Sequence, residues 1–115
     1  MVDEALSRMS LTEISEALLK REVSSQEVVR NSLEELEKRG PSLNCVARLF
    51  PEQALAEADS ADKELFSGIS PGPLHGVPLL HKDMFYRTGK ISACGSKICE
   101  DYVPDETATA LLKLD

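Results

Sequence analysis

Lys82-Asp83 closes the segment Leu74-His75-Gly76-Val77-Pro78-Leu79-Leu80-His81, and this is where the chain's residue types come closest to chemistry. Val77 to His81 reads as a short buried strand, with Pro78 tolerated near its start. A lysine emerging from such a core must be paired, or its charge is costly. Burial lowers a lysine's pKa and turns an inert ammonium into a base. The competing reading makes Lys82 a solvated strand end paired with a carboxylate. Downstream come Gly89, Ser92 and Gly95-Ser96, all small or hydroxyl-bearing residues. The bland reading of Ser92 and Ser96 is that they are turn residues bonding the local backbone.

The order Gly72-Pro73-Leu74-His75-Gly76-Val77-Pro78, an apolar run, Lys82-Asp83, Gly89, Ser92 and Gly95-Ser96 resembles the amidase signature family. The resemblance extends from about Leu11 onward. It implies an α/β fold: N-terminal helices followed by the first strands of a mixed sheet, incomplete in this chain. Residues 1–40 would be the helical lead and 41–115 the start of the α/β core. The chemistry it implies is hydrolysis of a carboxylic amide C–N bond by a Ser–cis-Ser–Lys triad. Lys82 matches the catalytic lysine, and Asp83 and Ser96 stand as supporting residues. The family's paired serines belong to a Gly/Ser-rich block that this sequence lacks. The chain therefore reads as the N-terminal part of an amidohydrolase, cut inside its last helix and inactive alone. Its intact parent would take a small-molecule amide. Two other readings stay open: the A subunit of a glutamyl-tRNA amidotransferase, and a truncated noncatalytic interaction module. The isolated chain is expected to be marginally stable or to associate through apolar surface, with a homodimer among the open states.

Composition narrows the partners. The 115 residues include only five aromatics and no Trp, and the net charge is −7. Phosphate contacts need Lys and Arg clusters and stacking needs aromatic platforms, so direct nucleic-acid binding is not expected. No stretch approaches the roughly 20 apolar residues of a membrane span. The acidic Met1-Val2-Asp3-Glu4 start has no apolar signal core, and a cytoplasmic location is expected. Cys45, Cys94 and Cys99 are odd in number and read as reduced thiols, Cys94 as a small buried residue. His75, His81, Cys94 and Cys99 are poorly arranged for zinc, so neither a metal nor another cofactor is expected.

The elements that must position these residues follow from caps and periodicity. Ser10-Leu11-Thr12-Glu13 and Ser24-Ser25-Gln26-Glu27 are capping boxes. They open helices marked by Leu11, Ile14 and Leu18, and by Val29, Leu33 and Leu36. The second is expected to stop at Gly40-Pro41. Leu43 to Phe50 reads as a strand. Glu52 to Phe66 reads as a helix that buries Ala54, Ala58, Ala61 and Leu65, with Glu57, Asp59, Asp62 and Glu64 on a solvated surface. Residues 67–73 read as a loop. Asp105 is the expected N-cap of a last helix over Glu106 to Leu114.

Overall fold

The computed structural model describes residues 2–70 and 72–115, so Met1 and, within the expected loop, Pro71 lie outside the described residues. The chain divides into two compact units, Met1–Pro78 and Leu79–Asp115.

The first unit is helical: α1 (Glu4–Arg8), α2 (Leu11–Lys20), α3 (Ser25–Leu43) and α4 (Pro51–Phe66). Both capping boxes form as expected, with Ser10 and Ser24 accepting from the N–H groups of Glu13 and Glu27 while each glutamate reaches back. Leu6, Leu18, Val28 and Leu65 bring all four helices to one core, and Met9, Ile14, Val23 and Val77 pack against it. The expected α4 face is the one buried, at Ala58, Ala61 and Leu65. Asn31, 8% exposed, joins α1 to α3: it accepts from Asp3 N–H and donates to Ser7 Oγ.

Helix α3 does not stop at Gly40-Pro41 but runs to Leu43. A proline so near the end removes only one late hydrogen bond. Gly40 has no Cβ to crowd the following ring, and the space a Cβ would fill is taken by Val46 Cγ2 at 3.1 Å. Asn44 then turns left-handed at φ 48°. The bonds Asn44 N–H to Pro41 O and Cys45 N–H to Gly40 O close a Schellman motif. Arg21 ends α2 in the same way at φ 59°.

The expected α/β fold is not formed: among the described residues there is no β-strand at all. The strand expected over Leu43–Phe50 is consumed at its start by α3 and by left-handed Asn44. The strand expected over Val77–His81 begins at the end of a turn closed by Val77 N–H to Leu74 O and contains Pro78, which has no N–H to give a ladder. An extended segment becomes a strand only when a neighbour takes up its backbone groups, and no described segment pairs with either one in a ladder.

The second unit holds a 3-10 turn, η1 (Lys97–Cys99), and the short α5 (Thr109–Leu112). The expected helix over Glu106–Leu114 shrinks because Ala108 N–H is drawn to Tyr86 O at 2.8 Å and Thr107 Oγ1 accepts from Thr88 N–H. Gly89 N–H to Pro104 O and Ser92 N–H to Tyr102 O continue this antiparallel contact. Buried Pro104 cannot donate in return, and Gly89 sits at φ +73°, so the two stretches never become a regular ladder.

Candidate functional site

The Lys82-Asp83 segment lies in the second unit, in a turn closed by Phe85 N–H to Lys82 O. Lys82 is exposed, and its side chain makes no ion pair or hydrogen bond among the described residues. His81 Nδ1 lies 3.0 Å from Lys82 O. Asp83 is half-buried, and its backbone carbonyl accepts the Ser92 hydroxyl at 2.8 Å. Ser92 is only 2% exposed, so this bond ties the turn to the inside of the unit. Alongside, Tyr86 and Tyr102 stack obliquely with centroids 5.4 Å apart. Desolvation, and secondarily Tyr86, hold the Tyr102 phenol above its usual value.

Among the described residues, no hydrogen bond joins Ser96 to Lys82. Its hydroxyl caps η1 by accepting from Ile98 N–H at 3.3 Å. Ahead of it, Cys94 at φ 51° and Gly95 at φ 68° carry a turn closed by Ser96 N–H to Ala93 O, with both central residues left-handed as in a type I′ turn. That conformation puts Cys94 on the exposed tip rather than in the core expected for it. Ser96 therefore bonds its local backbone, while Ser92 reaches a carbonyl nine positions away from inside the unit. Among the described residues, no three His, Cys, Asp or Glu side chains are grouped to hold a metal ion.

His75 belongs to the first unit. Its Nε2 is inaccessible and lies 3.2 Å from Glu64 Oε2, an ion-pair distance without hydrogen-bond alignment. The acidic face of α4, expected to be merely solvated, also holds Asp62, whose two carboxylate oxygens accept from Ser25 N–H at 2.6 Å and Gln26 N–H at 3.1 Å. Asp59 Oδ1 accepts from the Gln26 side chain. These partners lie more than 30 positions apart, so no local pattern announces them.

The expected amidohydrolase machinery is overturned by this arrangement. Among the described residues no sheet is present to carry a triad, Lys82 is exposed with no serine hydroxyl bonded to it, and the buried Ser92 hydroxyl donates to a backbone carbonyl. The designation as an amidase enzyme falls with it. Among the described residues, no helix is long and apolar enough to cross a membrane.

Sequence comparison supplies the lineage. The model of the Amidase family matches residues 27–115. The putative amidase AmiD of Mycobacterium bovis is 36% identical over 112 residues, 97% of this chain and 24% of that protein. The A subunit of the glutamyl-tRNA(Gln) amidotransferase of Alkalilimnicola ehrlichii is 41% identical over 105 residues, 91% of this chain and 22% of that one. Its counterpart in Bdellovibrio bacteriovorus is 41% identical over 109 residues, 95% of this chain and 22% of its own length. The chain thus spans under a quarter of the length of the curated relatives it matches. The sheet that the family's fold requires is not found in the described residues; with the family model matching residues 27–115, most of its length, the chain belongs to the amidase family.

Proposed function

We propose that this polypeptide works as a noncatalytic interaction module of the amidase family. The observation that carries this reading is the environment of Lys82: exposed, unpaired among the described residues, and on a turn where the buried Ser92 hydroxyl is committed to Asp83 O. A general base must lie within hydrogen-bond reach of the proton it takes, and on this open turn Lys82 faces solvent with no hydroxyl bonded to it among the described residues. Around that turn Leu79, Leu80, Met84 and Phe85 keep large apolar surfaces in solvent, which suits contact with another protein better than turnover of a small amide.

The test is ammonia release from glutamine and from simple aliphatic amides by the chain and by Lys82→Ala. Both are expected to match the buffer blank. Release by the wild-type chain that vanishes in the variant would overturn the reading.

A second reading is favoured by the relatives named as A subunits of glutamyl-tRNA(Gln) amidotransferases. In it the chain contributes to an amidotransferase assembly and depends on partner subunits for any glutamine chemistry. Glutaminase activity that appears only when such subunits are added, and requires this chain, would select it over the first.

A further inference from the structure

Three helices of the first unit each send one polar side chain to the same six residues. Ser15 on α2 donates its hydroxyl to Pro73 O. Ser25, the first residue of α3, donates to Gly76 O at 2.6 Å. Glu64 on α4 faces His75 Nε2 at 3.2 Å. The segment is itself shaped by two turn bonds, His75 N–H to Gly72 O and Val77 N–H to Leu74 O. Gly76 takes φ +80°, the sign a type II turn needs at its third position. A Cβ there would come within 3.3 Å of Ser25 Cβ and 3.7 Å of Ala61 Cβ, so the backbone is pressed onto α3 and α4 together. Val77 then packs against the four-helix core.

We propose that residues 72–77 are a latch, a strap of chain whose closure makes α2, α3 and α4 open and close as one cooperative body. The distribution of contacts carries this. Each of the three polar contacts joins the strap to a different helix, and the partners are separated by 58, 51 and 11 positions in sequence. Local hydrogen bonds cannot couple helices in that way; a shared strap can, because lifting it breaks all three contacts and the Val77 packing at once. The His-Gly pair of the amidase-like motif then has a conformational task in this chain: it places one side chain against α4 and one backbone carbonyl on α3.

The latch is tested by native-state amide hydrogen exchange on the full chain, comparing wild type with Ser25→Ala, His75→Ala and Ser15→Ala. Ser15 is only half-buried, so its variant retains the fold even if loss of the buried Ser25 hydroxyl proves too severe. Each variant is expected to accelerate exchange by about tenfold or more at a common set of amides, those of Ala17 and Leu18 in α2, Val28 and Val29 in α3, and Ala61 and Leu65 in α4. His75→Gln, which keeps a polar side chain facing Glu64, is expected to restore most of the protection lost in His75→Ala. If Ser15→Ala affects only α2 and His75→Ala only α4, the helices are fastened separately and the latch is wrong. Equal loss in His75→Gln and His75→Ala would likewise overturn the part assigned to Glu64.

Discussion

The Ser92 hydroxyl donates to the backbone carbonyl of Asp83 at 2.8 Å, from a side chain that is almost wholly out of solvent. The bond fixes the residue after Lys82 to a stretch whose own backbone is held by Ser92 N–H to Tyr102 O. Ser92 is therefore a structural fastener for the lysine turn. Replacing it with alanine removes the bond from a dry site, at a cost of about 1–2 kcal/mol. We expect Ser92→Ala to lower the denaturant midpoint and to speed amide exchange around 83–92, with no change in the slope of the unfolding curve. An unchanged midpoint would show that water replaces the hydroxyl at no cost.

Lys82→Ala should behave in the opposite way. The side chain is exposed and makes no polar contact among the described residues. Surface changes of this kind stay within about 0.5 kcal/mol. Thermal unfolding of the variant should overlay that of the wild type. A clear loss of stability would reveal a partner for the ammonium that this arrangement does not contain.

Asp62 completes the start of α3. The first turn of any helix leaves backbone N–H groups without intrahelical acceptors. Here Ser24 N–H goes to Glu27, Ser25 and Gln26 N–H go to the two oxygens of Asp62, and Glu27 N–H goes to the Ser24 hydroxyl. Asp62→Ala strips two of these acceptors and is expected to cost about 2 kcal/mol, toward the upper end for a helix cap. Asp62→Asn keeps one carbonyl oxygen and should lose less. The measurement is urea unfolding of the three proteins. Equal midpoints for the alanine and asparagine variants would mean that only one oxygen of the pair matters.

What can be read from the sequence and what cannot divide along range of interaction. The capping boxes at Ser10 and Ser24 and the buried face of α4 are patterns over three to eleven residues, and each is found where its spacing places it. The Schellman closures at Arg21 and Asn44 escape such patterns because neither carries the glycine that usually marks such an end. Asp62 has the sequence context of one more surface carboxylate because its partners lie on another helix. The expected strands are absent for a related reason. Apolar runs at Leu43–Phe50 and Val77–His81 satisfy a strand's composition, but pairing is a property of two segments, and the local chemistry of Asn44 and Pro78 decides these cases first. At the lysine segment, residue types can mark a candidate, while its chemistry depends on burial and partners, which a list of residue types does not contain.

Acid should weaken the helix starts. Hydrogen bonds from the backbone N–H and then the hydroxyl of Ser10 hold Glu13 below its ordinary value of 4.5, and those of Ser24 do the same for Glu27. A carboxyl whose folded pKa is depressed contributes its stability in full above the unfolded value. That contribution is lost as pH falls through the unfolded and then the folded value. Unfolding free energy should therefore drop from about pH 5 downward. In the double variant Glu13→Gln, Glu27→Gln the drop should be shallower, starting from a somewhat lower plateau near neutral pH. Denaturant unfolding at a series of pH values reads both. Parallel curves for the two proteins would show that the caps titrate alike in the folded and unfolded chains.

Arg21 has two tasks that pull against each other. Its backbone ends α2 in the left-handed region at φ 59°, a conformation that costs a residue with a Cβ about 1 kcal/mol or more. Its guanidinium meanwhile donates to Leu65 O at 2.9 Å and Phe66 O at 3.3 Å and lies 5.4 Å from the centre of the Phe66 ring, so it caps the C-terminus of α4. Leu65 O also accepts from Gly68 N–H at 3.1 Å, so the guanidinium adds a second donor there and a donor for Phe66 O. The position can be dissected by two substitutions. Arg21→Ala loses the guanidinium and keeps the strain, and is expected to be the more damaging. Arg21→Gly loses the same contacts but relieves the backbone, so it should be more stable than Arg21→Ala by roughly 1 kcal/mol. Both should fall below wild type if capping α4 outweighs the strain in α2. Differential scanning calorimetry of the three proteins gives the order directly, and Arg21→Gly melting above wild type would show that the backbone strain is the larger of the two.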